Sequence, residues 1–192
     1  YFTGYNNKFG NETNSTYEFY NIFRDKSTTV HAKKQQKISH NFNLRREVIN
    51  YNSKILFDAS IYNQVFNTEK KMINNSNFLT GSYYRLFPIV GLSTETPFKI
   101  KNYSTNLTIT PKINIVLSPG ISNSNKLSNE DSTNNDFSIN NIYRLNRYSG
   151  SDKMDNSKRI TFGLGAQTQY FTSSISQTYE FTSNSNFHKE QG

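Results

Sequence analysis

A strict alternation of apolar and polar residues over residues 103–118 constrains the fold of this chain more than any other feature. The odd positions carry Tyr103, Leu107, Ile109, Ile113, Ile115 and Leu117, whereas the even positions carry only Val116. Successive side chains of a β-strand point to opposite faces, so this pattern predicts one long two-faced strand. We expect its apolar face to contact lipid through Leu107, Ile109, Ile113, Ile115 and Leu117. We expect its polar face to line a wet lumen through Asn106, Thr108, Lys112 and Asn114.

The same alternation recurs along the chain. It is clear over residues 38–45 and 159–170, less clean over 54–65, and weaker near 17–23 and 83–95. A last stripe of Ile175, Tyr179 and Phe181 follows a short break at Thr172-Ser173, which predicts an antiparallel hairpin with the preceding strand. A tight turn is expected at residues 50–52. The sequence therefore predicts an all-β, antiparallel fold with about seven strands.

Two fold classes are compatible with this pattern. In a transmembrane β-barrel the apolar faces contact lipid, and in a soluble β-sandwich they contact each other. The predicted strands exceed the usual length of about five or six residues. Short turns also alternate with one long polar loop at residues 119–157, as in outer-membrane barrels. Only 33% of the residues are hydrophobic, which leaves little material for a water-excluding core. The barrel is favoured, and the sandwich stays open.

Several chemical functions lack support in the sequence. The net charge of +8 raises the question of nucleic-acid binding, but Lys and Arg are spread along the chain without a recognition motif. We expect no nucleic-acid partner. His31, His40 and His188 lie far apart and the chain has no cysteine, so neither a metal site nor a cofactor is expected. No serine lies in a nucleophile motif, and we expect no catalytic residues.

One dense group of charged and polar residues lies in the long loop. Carboxylates and guanidinium groups at these separations can fold a loop on itself through charge-assisted hydrogen bonds. We expect residues 119–157 to plug or cap the lumen, with Arg147 bonded to a carboxylate of its own loop. Asp131 and Asp152 are the leading candidates. The alternative is a solvated loop without a fixed shape. The predicted structural residues are Asn129, Glu130, Asp131, Ser132, Asp136, Asn146, Arg147, Tyr148, Ser149, Gly150 and Asp152.

Five segments, taken in order, resemble the LptD family of outer-membrane proteins that assemble lipopolysaccharide. The likeness is to the middle and later part of the family's C-terminal barrel, and the two loop segments are its most specific part. Ser128 and Ser151 stand where the family commonly has Pro and Tyr. The segments are Arg85-Leu86-Phe87-Pro88-Ile89-Val90-Gly91-Leu92, Pro97-Phe98, Thr108-Ile109-Thr110-Pro111-Lys112, Asn129-Glu130-Asp131-Ser132 and Asn146-Arg147-Tyr148-Ser149-Gly150-Ser151-Asp152.

The resemblance implies a function and a set of partners. Residues 1–192 would form part of a single barrel domain, the wall of a translocon that inserts lipopolysaccharide into the outer leaflet of a Gram-negative outer membrane. It implies no catalysis. It also implies a lipoprotein plug of the LptE type and a periplasmic bridge protein of the LptA type, bound through a jelly-roll domain. That domain and the gate strands are expected outside this segment. The alternatives are a porin or receptor barrel for small solutes, and a soluble β-rich binding or adhesion module.

Overall fold

Nine β-strands and no helix make up the regular structure of the described part of the chain. The computed structural model describes residues 2–8, 10–74, 77–101, 106–121, 123–132, 138 and 141–182, and residues 2–8 by their backbone alone. None of these residues belongs to a helix able to cross a membrane. The strands are β1 (Phe2–Lys8), β2 (Asn11–Phe23), β3 (Ala32–Asn50), β4 (Ser53–Asn74), β5 (Asn77–Glu95), β6 (Phe98–Lys101), β7 (Asn106–Leu117), β8 (Lys158–Gln167) and β9 (Thr172–Glu180).

All nine strands belong to one antiparallel sheet, which confirms the predicted fold class of an all-β barrel segment. The spatial order is β1-β2-β3-β4-β5-β7-β8-β9, and the short β6 pairs with β7 beside β5. Among the described residues no pairing joins β1 to β9, so the sheet is open at both sides. Seven strands correspond to the expected ones. The sequence pattern missed β1, which has few apolar residues, and β6, which has four residues in all.

Two turns test the predicted connections. Asn50 pairs with Ser53, which leaves Tyr51 and Asn52 as a two-residue turn and confirms the tight turn expected there. Tyr51 adopts a positive φ of 51°, as turns of this kind require. The second hairpin turns earlier than predicted. Thr172 already pairs with Gln167, and the amide of Thr168 donates to the carbonyl of Phe171 at 2.9 Å, so residues 168–171 form the turn.

The sheet has one apolar face and one polar face along most of its width. One register row crosses four strands with Phe19, Ile38, Val65 and Tyr84, all exposed on the apolar face. The adjacent row has Glu18, Ser39, Gln64 and Arg85 on the polar face. A single-residue shift in any pairing would mix these faces, so the register itself preserves the two-faced pattern.

The long loop covers the polar face, and a small apolar core lies between the two. Phe87 and Ile89 of β5 pack there with Val116 of β7 and with Met154 of the loop, all nearly inaccessible to solvent. Leu145 of the loop packs against the same cluster. Val116, the one apolar residue at an even position of the alternating strand, therefore belongs to this core. The exception in the sequence pattern marks the point at which the loop meets the sheet.

Candidate functional site

The candidate site is the contact between the long loop and the polar face of β2–β5. Strand β7 ends at Leu117 beside Val90, whereas β5 begins thirteen residues earlier, at Asn77. Strands β3 to β5 therefore extend beyond the end of β7. Their polar face at this end of the sheet is available for contact with the loop. The described residues of the loop, within 119–157, fold back over that surface instead of leaving the sheet.

Two segments of the loop bind each other through a reciprocal exchange of backbone and carboxylate groups. The amides of Ser151 and Asp152 donate to the two carboxylate oxygens of Asp131 at 3.0 and 2.8 Å. In return, the amides of Glu130 and Asp131 donate to one oxygen of Asp152 at 2.7 and 3.2 Å. Gly150 lies so close to Asp131 that a Cβ atom there would overlap its carboxylate and carbonyl. The predicted segments 129–132 and 146–152 thus form one unit.

Lys37 of β3 holds this unit to the sheet. Its side chain is completely buried, and Nζ lies 2.7 Å from Asp152 Oδ1, 3.2 Å from Asp131 Oδ2 and 3.2 Å from Glu18 Oε2 of β2. Nζ also donates to Ser151 Oγ at 2.6 Å. A buried ammonium needs such compensation, because its desolvation alone is strongly unfavourable. We call Lys37, Glu18, Asp131, Ser151 and Asp152 the lysine clamp.

The two aspartates of the lysine clamp experience opposite electrostatic effects. Burial alone would raise the pKa of Asp131, but the Lys37 ammonium and the amides of Ser151 and Asp152 outweigh it and lower the pKa to about 2. For Asp152, burial and the neighbouring Asp131 charge outweigh Lys37, so its pKa is raised. Asp131 is therefore firmly ionised, whereas the charged form of Asp152 is favoured less strongly.

Arg85 of β5 forms a second attachment. Its guanidinium donates to the carbonyls of Ser151 and Asp152 at 2.7 and 2.8 Å. Its Nε donates to Gln64 Oε1 at 2.8 Å, and Gln64 Nε2 donates to the Ser151 carbonyl at 3.1 Å. Carbonyl groups of the loop backbone thus accept hydrogen bonds from the Gln64 and Arg85 side chains on this part of the polar face.

A third attachment corrects the expected partner of Arg147. This fully buried guanidinium pairs with Asp155 of its own loop at 2.5 Å and with Glu180 of β9 at 2.5 Å. Asp155 also pairs with Arg159 of β8 at 3.0 Å. The expectation that Arg147 binds a carboxylate of its own loop is therefore confirmed, but the two leading candidates, Asp131 and Asp152, are wrong, because both face Lys37 instead. Because Asp155 lies at the end of the loop, it reaches Arg147 beside β8 and β9, while the two earlier aspartates lie over β3.

Burial and neighbouring charges favour the protonated forms of Arg147 and Tyr148. Burial alone would lower the pKa of Arg147, but the carboxylates of Asp155 and Glu180 outweigh it and raise the pKa. Next to it, burial raises the pKa of Tyr148 to about 12. Both residues therefore stay protonated over the physiological pH range.

The remaining predicted loop residues hold the loop in shape. Asn129 and Ser132 bond each other within a turn, and the amide of Lys153 donates to Ser132 Oγ at 3.0 Å. Asn146 accepts from the amide of Asp155 at 3.1 Å and donates to the carbonyl of Gly150 at 3.1 Å. Glu130 pairs with Arg24 of the β2–β3 connection, and Ser149 lines a cavity between the loop and the sheet. Asp136 lies outside the described residues.

The two residues that depart from the family pattern both bind strand β3. Ser128 Oγ accepts from the amide of Ala32 at 2.8 Å, and Ser151 Oγ accepts from Lys37. A proline at 128 would lack this hydroxyl. In this chain the two serines add side-chain hydrogen bonds at the edge of the loop, where the family commonly has Pro and Tyr.

The predicted residues of the alternating strand divide between the two faces. Ile113, Ile115 and Leu117 are 40%, 37% and 48% exposed, whereas Asn114 is 4% exposed beneath the loop. Leu107 and Ile109 are half-buried beside Ile100 and Phe98 of β6. Asn106 is exposed, Thr108 is half-buried, and half-buried Lys112 lies 3.4 Å from Glu95. Whether the apolar face contacts lipid stays a prediction.

A cavity of about 650 Å³ separates the rest of the loop from the sheet. Polar side chains of β2 to β4 line one side, among them Asn43, Arg45 and Asp58, which bond one another. Loop residues 143–150 line the other side. Within the described part of the chain, no group of His, Asp and Glu is arranged to hold a metal ion. The polar arrangement can retain water or bind a polar solute.

The sequence reasoning missed the residues of the sheet that bind the loop. Lys37, Arg85 and Arg159 are buried cations. Lys37 and Arg85 lie within their strands, and Arg159 is the second residue of β8. The available signal was their position. Each occupies the polar face of a strand whose opposite face is apolar, and a cation there requires a partner from outside the sheet.

Comparison with protein families matches residues 1–192 to LptD, LPS transport system D. A search of curated proteins gives no significant match. Members of the LptD family are outer-membrane proteins of Gram-negative bacteria that take part in lipopolysaccharide transport. The open antiparallel sheet agrees with a segment of the family's β-barrel. Since the match extends over every residue, the chain belongs to the LptD family.

Proposed function

We propose that this chain forms part of the wall of an outer-membrane barrel that passes lipopolysaccharide, with residues 119–157 folded inward as a plug against the lumen. The apolar face of the sheet contacts lipid, and the polar face lines the lumen. The lysine clamp, Arg85 and the Arg147–Asp155–Arg159 cluster hold the plug in place.

The observation that carries this proposal is the asymmetry between the two faces of one sheet. The apolar face exposes a continuous band of large side chains, which a water-soluble protein does not leave uncovered. The opposite face buries charged groups, and its cover is a loop of the same chain. A soluble sandwich would bury the apolar face instead. The family assignment selects lipopolysaccharide as the substrate among the classes of molecule that a barrel could pass.

The partners follow from the family. We propose that a lipoprotein plug of the LptE type occupies the lumen, and that a bridge protein of the LptA type delivers lipopolysaccharide through a jelly-roll domain of the full-length protein. Polar lumen residues such as Asn43 and Asp58, which line the open cavity, are available for contact with the lipoprotein. Neither partner requires a catalytic group in this segment.

A depletion experiment tests the function. The full-length protein is depleted in its native cell, and newly made lipopolysaccharide at the surface is measured together with uptake of small hydrophilic solutes. We expect surface lipopolysaccharide to fall while solute uptake continues. Unchanged surface lipopolysaccharide with lost uptake would favour the alternative of a porin or receptor barrel.

The position of the loop is tested separately by cross-linking. Cysteines placed at Gln64 and Ser151, where the Gln64 side chain donates to the Ser151 carbonyl at 3.1 Å, should be joined by a short bismaleimide cross-linker in the full-length protein. A matched pair at Gln64 and Thr168 should not, because Thr168 lies in the turn at the opposite end of the sheet. Equal cross-linking of both pairs would contradict the docked loop.

A further inference from the structure

The apolar face of the sheet ends in a group of lysines at the end where the long loop emerges. Exposed or half-exposed Lys26, Lys33, Lys34 and Lys70 gather here from the β2–β3 connection and from strands β3 and β4. Among the described residues, none of these four ammonium groups lies within salt-bridge distance of a carboxylate. We call them the lysine patch.

Aromatic and aliphatic side chains lie among the lysines. The ammonium of Lys34 lies 5.3 Å from the ring centroid of Phe23, and Met72 pairs with the exposed Phe78 on the same face. Two shallow depressions, of about 490 and 640 Å³, share Lys33 and Asp25 in their walls. The patch therefore offers adjoining basic and apolar surfaces rather than a uniformly charged one.

The backbone of β4 is shaped to present this patch. The pairing of β4 with β5 shifts register between Thr68 and Lys71, and Lys70 adopts a positive φ of 51° within that bulge. The amide of Lys70 donates to Thr80 Oγ1 at 3.0 Å, which fixes the bulge. Bulges commonly redirect a side chain at the edge of a functional surface. Here the neighbouring Lys71 turns inward to the loop carbonyl of Leu127, and Lys70 lines the outer depression.

The height of the patch matches the head groups of the outer leaflet. In β4 the regular apolar stripe runs through Ile61 to Val65, and Glu69, beside the lysines, lies four residues beyond Val65, about 13 Å along the strand. With a barrel-strand tilt of about 40°, this is roughly 10 Å above the apolar band. Long loops of outer-membrane barrels lie on the extracellular side, so this end of the sheet faces the outer leaflet.

We propose that the lysine patch is an outward-facing binding site for a phosphate-bearing lipid of the outer leaflet. Lysine ammonium groups bind phosphate as point charges, and the acyl chains of the lipid lie along the apolar face below, beside Phe19, Ile38 and Val65. Asp25 and Glu69 also face the patch, so the four cations exceed the carboxylates by two. The inference rests on the proposed function, since it takes the apolar face to contact lipid.

The test compares two matched double variants of the full-length protein in detergent micelles. Lys33→Gln/Lys70→Gln removes two charges from the patch, and Lys99→Gln/Lys101→Gln removes two exposed charges from the other end of the sheet. The probe is a fluorescent lipid A with its phosphates, and the reference probe is its dephosphorylated form. From the typical contribution of a lysine near a charged membrane surface, removal of two lysines should weaken binding roughly thirtyfold in the patch variant alone.

Further measurements make the result decisive. Lys33→Arg/Lys70→Arg should retain binding, and the heat-dependent gel mobility of each variant shows whether the barrel is folded. Millimolar inorganic phosphate should not displace the phosphorylated lipid. Equal binding by patch and control variants, equal binding of the dephosphorylated lipid, or full displacement by inorganic phosphate would each overturn the site.

The proposed function is assayed separately, by delivery of lipopolysaccharide to the surface of the native cells. Surface delivery of lipopolysaccharide without phosphate-dependent lipid binding would refute the lysine patch alone. Phosphate-dependent binding without delivery by the wild-type protein would refute the proposed function and leave the site in place.

Discussion

Replacing Lys37 by Met should release the long loop from the sheet. The substitution keeps the length of the side chain and removes the one ammonium that contacts Asp152, Asp131 and Glu18. These three carboxylates then lie close together without a cation among them. Backbone amides continue to hold Asp131 and Asp152 next to each other, so the two charges cannot separate while the loop stays folded.

The expected cost follows from the burial of the group. Lys37 is 0% exposed and Asp152 is 3% exposed, so the interaction is not screened by solvent. Removing one partner of such a buried pair typically costs about 3–5 kcal/mol. The population of the undocked loop should therefore rise by roughly two to three and a half orders of magnitude. Lys54→Met is the control, because Lys54 and Glu47 are 40% and 43% exposed and lie 2.7 Å apart, a pair worth less than about 1 kcal/mol.

Proteolysis provides the assay. Arg147 is fully buried in the docked loop, so trypsin can cleave after it only when the loop opens. We expect cleavage of the folded full-length protein at this site to accelerate strongly in Lys37→Met and hardly at all in Lys54→Met. Equal cleavage rates in the two variants would refute the clamp.

The pH dependence of loop docking is an independent test of the lysine clamp, because its direction should differ between the wild type and Lys37→Met. In the wild type the pKa of Asp131 is about 2, below its ordinary value of 3.8, so its contribution to docking is complete above about pH 4 and is lost as the pH falls toward 2. In Lys37→Met the cation is gone, so we expect the pKa of both aspartates to rise above their values in the wild type. Protonation then relieves repulsion, and docking should improve as the pH falls. The same slope in both proteins would contradict this account.

Three further substitutions test other parts of the structure. Ile113→Arg should destabilise the barrel in lipid vesicles by about 2–4 kcal/mol if this residue faces lipid near the midplane, as measured by urea unfolding. Asn114→Arg should change the stability little, because the cavity that Asn114 lines has room for the longer side chain. Arg147→Ala should lower the unfolding midpoint by an equivalent of about 3–5 kcal/mol, and Arg147→Lys should recover only part of it, since an ammonium cannot bind two carboxylates as a guanidinium does. Gly163→Ala should cost about 1–3 kcal/mol in the same assay, because its Cβ would overlap a tyrosine hydroxyl of the loop, while Gly165→Ala should be nearly neutral, having ordinary contacts only.

The strands and their faces were predictable because they depend on local alternation. Seven of the nine strands carry enough apolar residues at period two to be recognised, and β6 is too short to show a period. The loop segments were recognised as a unit from their charges and from the family resemblance. Their partners on the sheet were not, because Lys37 and Arg85 are separated from Asp152 by more than sixty residues in sequence. Nothing local to those lysine and arginine positions specifies which loop covers them.

The amino-acid sequence by itself determined an antiparallel sheet with one apolar and one polar face, and a charged loop between its later strands. Those properties arise from side-chain periodicity and composition, which act over a few residues. Only the tertiary structure decided which carboxylate binds Arg147 and which strand receives the aspartates of the loop. Those pairings depend on the stagger between β5 and β7, which leaves the polar surface of β3–β5 uncovered for the loop to fill. Stagger is a property of long-range register, and buried charges then select the partners that this register brings within hydrogen-bonding distance.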